Sequence, residues 1–241
     1  MSILTSDTFT EGSDTALTSH TMDTGGGSWA VEAAQFTAIA ATDDCRHNGG
    51  SLNRARVSVD HGADDMNVEA SVKVGPSTAR QCGVCARMTT ADYANQYEAY
   101  IQGTAGGTTV DVFLFKNVGG VRTELNTSNE TLASGTYATL RLEVSAGSQI
   151  VKLNGATVIT GTEADATLSG QNYVGIIMKG VGETTTRLDN FQSEDVAVGG
   201  ASAVGTVFQS PVISNEHNRN RTILALLLSS FFKKVMRRCH K

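Results

Sequence analysis

Four cysteines and five histidines carry most of the nucleophilic and soft-metal chemistry open to this sequence. Cys82-Gly-Val-Cys85 has the CxxC spacing of zinc and dithiol sites, and Cys45 with His47 would complete a zinc set. The surrounding "QCGVCARMT" reads as a β-strand, however, and residues three apart on a strand project to opposite faces. Buried or free thiols are the alternative to zinc. Nucleophilic catalysis has little material: there is no G-x-S-x-G elbow, and His217 and His240 fall in the C-terminal tail. A retaining glycosidase needs two carboxylates about 5–5.5 Å apart. Glu11 and Asp14 lie in a turn-like "EGSD", while Glu69 and Glu143 each stand alone on a strand face.

The elements that must position such groups are strands. "MNVEASVKV" places Val68, Ala70, Val72 and Val74 on one face, and "TLRLEVS" does the same with Leu140, Leu142 and Val144. In "CGVCARM", turning Val84, Ala86 and Met88 inward leaves Cys85 and Arg87 outward. In "QYEAYIQG", turning Tyr97, Ala99 and Ile101 inward leaves Gln96, Glu98, Tyr100 and Gln102 outward. Arg87, Tyr100 and Gln102 then line one concave sheet face. Sugar sites combine an aromatic surface with planar polar groups, so these three are the candidate carbohydrate-binding residues, against the alternative of a solvated strand face. The polar stretch Thr42–Gly50 is a candidate binding loop, and Trp29, the single tryptophan, is expected in the core. "VGG" at Val118–Gly120 and "LNG" at Leu153–Gly155 mark hairpin turns.

Composition agrees with an all-β chain. Its 241 residues include 25 Gly and only 2 Pro, and no segment before Asn215 shows sustained helical periodicity. The expectation is a two-sheet antiparallel jelly-roll sandwich of about a dozen strands over residues 1–195. An extended linker or arm follows at 196–221, then a short amphipathic helix at 222–241. Charge is divided. From Asn215 to Lys241 seven Lys and Arg oppose the single Glu216, giving +6, so residues 1–214 carry −11 of the overall −5. An acidic sandwich lacks the basic face that non-specific nucleic-acid binding requires. The helix at 222–241 is basic on one stripe and apolar through Leu224, Leu227, Leu228, Phe231 and Phe232, which suits docking or assembly. No run is long enough to span a membrane. No basic n-region with an apolar h-region opens the chain, so synthesis in the cytoplasm without a signal peptide is expected.

The order of motifs resembles the concanavalin A-like lectin/glucanase superfamily, in its laminin-G-like jelly-roll branch. It runs from "SDTFTEGSDTAL" and "GGGSWAVEAAQF" through "MNVEASVKV", "CGVCARMTTADYANQYEAYI" and "ATLRLEVSAGSQIVKLNGATVI" to "YVGIIMKG" and "LDNF". It covers about residues 5–193 and is similar to modules in bacteriophage structural proteins. The resemblance implies two curved antiparallel sheets and a fold that hosts lectins, glycan-binding modules and glycosidases alike. It implies that Asp7 and Asp189, near the first and last strands, could hold a structural Ca²⁺. The E-x-D-x-E run of the related glucanases is missing. The function expected is therefore a non-enzymatic, surface-displayed structural or adhesion protein with glycan binding. A virion decoration or fibre subunit fits this, attached by its tail to other copies of itself or to a capsid or tail protein. A free carbohydrate-binding module of a cell-surface system and a divergent glycoside hydrolase are the alternatives.

Overall fold

Alternation of side chains decides which face of each strand is buried, and the computed structural model shows that alternation closing two sheets on one core. It describes residues 2–62, 65–89, 93–180 and 185–195. The arm expected at 196–221 and the helix expected at 222–241, with Leu224, Leu227, Leu228, Phe231 and Phe232, lie outside the described residues.

Sixteen strands form among the described residues. They are β1 (Ser2–Asp7), β2 (Thr15–Ala16), β3 (Trp29–Val31), β4 (Phe36–Ile39), β5 (Asp44–His47), β6 (Asn53–Val57), β7 (Met66–Lys73) and β8 (Gln81–Met88), followed by β9 (Gln96–Gly103), β10 (Thr109–Val118), β11 (Val121–Thr131), β12 (Ala138–Ser145), β13 (Ser148–Leu153), β14 (Ala156–Gly161), β15 (Tyr173–Lys179) and β16 (Arg187–Asp195). The dozen expected strands become sixteen because the first 60 residues contribute six, several of only two to four residues.

One sheet has nine strands in the order β14-β13-β12-β7-β16-β5-β4-β2, with β1 also paired to β16. The other has seven, in the order β11-β10-β9-β8-β15-β6-β3. All pairings are antiparallel. Val68, Ala70, Val72, Leu140, Leu142 and Val144 from the first sheet pack against Val84, Tyr97, Ala99, Ile101, Val112, Leu114 and Ile176 from the second. Trp29 is buried in the same core. The two expected hairpins form, with Gly119–Gly120 and Asn154–Gly155 all at positive φ, as two-residue turns between twisted strands demand.

The expected binding loop Thr42–Gly50 folds differently. Its centre is β5, between β4 and β16, and Asp44, Cys45 and His47 are all buried. The polar composition misleads because each polar group has a specific partner. Asp44 accepts hydrogen bonds from Thr42 Oγ1 at 2.8 Å and Tyr137 Oη at 2.9 Å. His47 Nδ1 accepts one from the Gly49 N–H.

Candidate functional site

The outer face of the seven-stranded sheet carries a second, smaller apolar cluster. Cys85, Met88, Tyr100 and Ile177 are buried there, with Leu52, Tyr93, Phe113, Phe115 and Tyr173 packed on them and only partly covered. Tyr100 on β9 faces Phe113 directly across to β10. The three rings of Tyr100, Phe113 and Phe115 stack with centroids 5.2 to 6.0 Å apart. Gly83 makes this possible: a Cβ there would lie 2.5 Å from Cα of Tyr100 and 2.0 Å from the Ala99 carbonyl oxygen.

Beside the rings, Glu98 sits completely buried. Its Oε1 accepts from Arg54 Nε at 2.8 Å and from Gln96 Nε2 at 2.8 Å, and its Oε2 accepts from Arg122 Nε at 2.8 Å. Arg54 comes from β6, with β15 and β8 between it and β9. The register row of Glu98 runs through Cys85 and Gly175 to Arg56, so Arg54, two residues away on β6, reaches Glu98 on a diagonal past these small residues. Arg122, from β11, lies over the Phe115 ring at 4.3 Å and over Tyr100 at 5.5 Å. Arg54 also meets Glu32 at 3.2 Å. Burial pushes the Cys85 thiol well above its ordinary pKa, and neighbouring Glu98 adds to that, so this cysteine is a neutral filler.

A cleft of about 630 Å³ opens on this assembly, lined by Glu32, Leu52, Arg54, Tyr93, Ala94, Asn117, Gly120 and Arg122. Half-exposed rings next to fixed planar polar groups are what a hydroxylated ring needs: apolar C–H faces against the rings, hydroxyls against the polar groups.

The expected residues divide. Tyr100 and Gln102 both belong to this face. Tyr100 is 3% exposed and forms the base of the ring stack. Gln102 is half-buried, and its Oε1 accepts from Gln81 Nε2 at 2.5 Å. Arg87 is elsewhere, which corrects the alternation read along β8. Tyr173 pairs with Met88 and Gly175 with Cys85, so β8 carries an extra residue at this point, and Arg87 takes φ 52°. The bulge sends Met88 to the outer cluster. Arg87 turns toward Asp65 at 3.5 Å and lines a different cavity, of about 480 Å³. Cys82 faces the core and Cys85 the outer cluster, as strand alternation requires of a CxxC. Among the described residues no cluster of three or more His, Cys, Asp or Glu is placed to hold a metal ion.

Asp7 and Asp189 do not fit a calcium ion. Asp7 is fully buried and accepts from Trp29 Nε1 at 2.6 Å, His20 Nε2 at 2.7 Å and the Phe9 N–H at 2.8 Å. Burial alone would lower the His20 pKa, but hydrogen bonds to Asp7 and Glu11 outweigh it and raise it to about 9. A cationic imidazole and an indole N–H thus occupy Asp7 where a hard cation would need oxygen ligands. Asp189 accepts from the backbone and side-chain nitrogens of Asn190 at 2.6 and 2.8 Å. Burial pushes its carboxyl up to about 6, and Asp44, Asp43 and Asp7 add to the rise.

The sequence pointed to the face but not to its centre. Gln96 and Glu98 read as outward, and "DVFLF" alternates so that Phe113 and Phe115 oppose Val112 and Leu114. Arg54 and Arg122 carried no local mark, because they stand 44 and 24 residues from Glu98.

No family model matches the chain, and no curated protein matches it. Solved structures share its fold. The carbohydrate-binding module CBM66 from Bacillus subtilis aligns over 69% of this chain and 95% of its own, at 14% identity and a TM-score of 0.53. The carbohydrate recognition domain of Emp46p aligns over 75% and 94%, at 10% identity and a TM-score of 0.53. The β-glucanase of Bacillus licheniformis aligns over 76% and 99%, at 12% identity and a TM-score of 0.50. The chain therefore shares the two-sheet antiparallel sandwich fold of these three domains. Among the described residues, no helix is long and apolar enough to cross a membrane.

Proposed function

We propose that this protein is a non-enzymatic glycan-binding module of a surface-displayed adhesion or structural protein, binding through the outer face of its seven-stranded sheet. The observation that carries this is the stack of Tyr100, Phe113 and Phe115 beside a cleft walled by Arg54, Arg122 and Asn117. Two of the three fold neighbours above are carbohydrate-binding domains by name.

The third is a hydrolase, and the geometry here speaks against that chemistry. Hydrolysis with retention needs two carboxylates across the bond, one of them free to deliver a proton. Both oxygens of Glu98 are taken by donors, and the same guanidinium, Arg54, binds Glu98 and Glu32. A glycosidic oxygen would have to displace a buried ion pair to reach Glu98, and exposed Glu32 has no second free carboxylate to work with among the described residues of the cleft.

A glycan array with the wild type and with Phe115→Ala tests the reading, run with a reducing-sugar assay. The expected result is a bound glycan, binding weakened about tenfold by the substitution, and no sugar released. An array on which the wild type binds nothing overturns the binding role, and released sugar overturns the non-enzymatic one. Attachment of the module to further copies or to a particle protein through residues 222–241 belongs to the same proposal. Removing residues 215–241 should then abolish oligomers in light scattering, and unchanged oligomers would refute it.

A further inference from the structure

Among the described residues, two side-chain oxygens near the cleft have no hydrogen-bond partner. Gln96 on β9 and Asn117 on β10 face each other across the strand pair, at 0% and 2% exposure. Their nitrogens are committed: Gln96 Nε2 donates to the Tyr93 carbonyl at 2.9 Å and to Glu98 Oε1 at 2.8 Å, and Asn117 Nδ2 donates to the same Tyr93 carbonyl at 3.3 Å. These contacts fix the orientation of both amides, since flipping either would set oxygen against oxygen. Gln96 Oε1 and Asn117 Oδ1 are therefore buried acceptors with no donor among the described residues. Such an atom is costly unless something supplies a hydrogen bond, and Asn117 lines the cleft.

The charges in the same place are already balanced. Arg54 and Arg122 are matched by Glu98 and Glu32, so the cleft offers no unspent cation to an acidic sugar. Its unpaired neutral acceptor is Asn117 Oδ1, while Arg122 Nη2, though it makes no hydrogen bond, is held 2.8 Å from the Glu98 carboxylate.

Resting on the glycan-binding reading, we propose that the cleft is selective for a neutral sugar unit, one hydroxyl of which donates to Asn117 Oδ1, the unpaired acceptor in its wall. Uronic acids are disfavoured, because a carboxylate brings an acceptor to an acceptor, and a negative charge to guanidiniums already matched by Glu98 and Glu32. Sites built to hydrogen-bond a hydroxyl discriminate strongly against partners that cannot supply it.

The test is calorimetric titration of the full chain with soluble β-glucan, xylan and polygalacturonate. The wild type, Asn117→Leu and Phe115→Ala are compared, with thermal melting of each. The expected result is binding of a neutral polymer over polygalacturonate, with Asn117→Leu about tenfold weaker or worse and its melting temperature maintained, because an unpaired acceptor has been removed. A merely structural Asn117 would instead lose melting temperature and keep affinity. If a neutral polymer binds, Phe115→Ala weakens it and Asn117→Leu does not, the proposal fails while the binding face stands. Preference for polygalacturonate has the same meaning. If none of the three polymers binds the wild type, the binding face itself is wrong, and the proposal falls with it.

Discussion

Arg54 on β6 and Glu98 on β9 meet in a 2.8 Å hydrogen bond although two strands lie between them in the sheet. Arg122 closes on the other oxygen of Glu98 from β11, at the sheet's far edge. One carboxylate thus ties the two sides of the outer face together and holds both walls of the cleft.

Removing that carboxylate should be costly in stability. Glu98→Ala leaves two guanidiniums without their shared partner, one of them 7% exposed. A loss of about 3–5 kcal/mol is expected, the usual cost of breaking one side of a buried pair. Urea unfolding measures it. A nearly unchanged midpoint would mean that water takes over the role of Glu98.

Much of this arrangement could be read in advance and some could not. Alternation in β7, β9 and β12 gave the correct inward face, because β9 and β12 keep an unbroken register with both neighbours and the one shift beside β7 puts its extra residue on β16. The same rule failed at Arg87, since a bulge is a property of the pairing between β8 and β15 and leaves no mark on β8 alone. Polar composition, which marked Thr42–Gly50 as a loop, misled at Asp44 and His47, because burial there depends on partners such as Tyr137, 93 residues from Asp44.

His20 should give the protein a basic-side loss of stability. The folded imidazole keeps its proton to about pH 9, whereas an unfolded one releases it near 6.5. The stabilisation is complete below about pH 6.5 and is lost as the pH rises through about 9, amounting to on the order of 3 kcal/mol. Denaturation of the wild type and His20→Gln at pH 6 and pH 10 should show a gap at the lower pH that closes at the higher. A gap equal at both would refute the assignment.

Asp7 should act without calcium. Excess EDTA is expected to leave the melting temperature unchanged, while Asp7→Ala, which strands the buried His20 cation and the Trp29 N–H, costs about 3–5 kcal/mol. A fall in melting temperature with EDTA, restored by Ca²⁺, would show that a cation contributes after all.

Gly83 should tolerate no side chain. Gly83→Ala pushes a methyl group against the backbone of Ala99 and Tyr100, and overpacking of this kind costs about 1–3 kcal/mol. The near-ultraviolet signal of the stacked rings should change with it. A variant as stable as the wild type, with that signal intact, would show that β8 can move away from β9.

The position of β16 has a bearing on how the chain reaches this state. It is the last of the described strands to be made, yet it lies inside the nine-stranded sheet, joining β7 on one side to β1 and β5 on the other. Until residues 187–195 leave the ribosome, β1, β2, β4 and β5 have no route into the sheet built on β7 and β12, and the apolar sides of both groups wait uncovered. Closure is then a late, long-range event, slow by the measure of contact order and exposed to misassembly in the interval. A chain stopped at residue 186 would not be a slightly shorter sandwich. It would be two incomplete pieces of one.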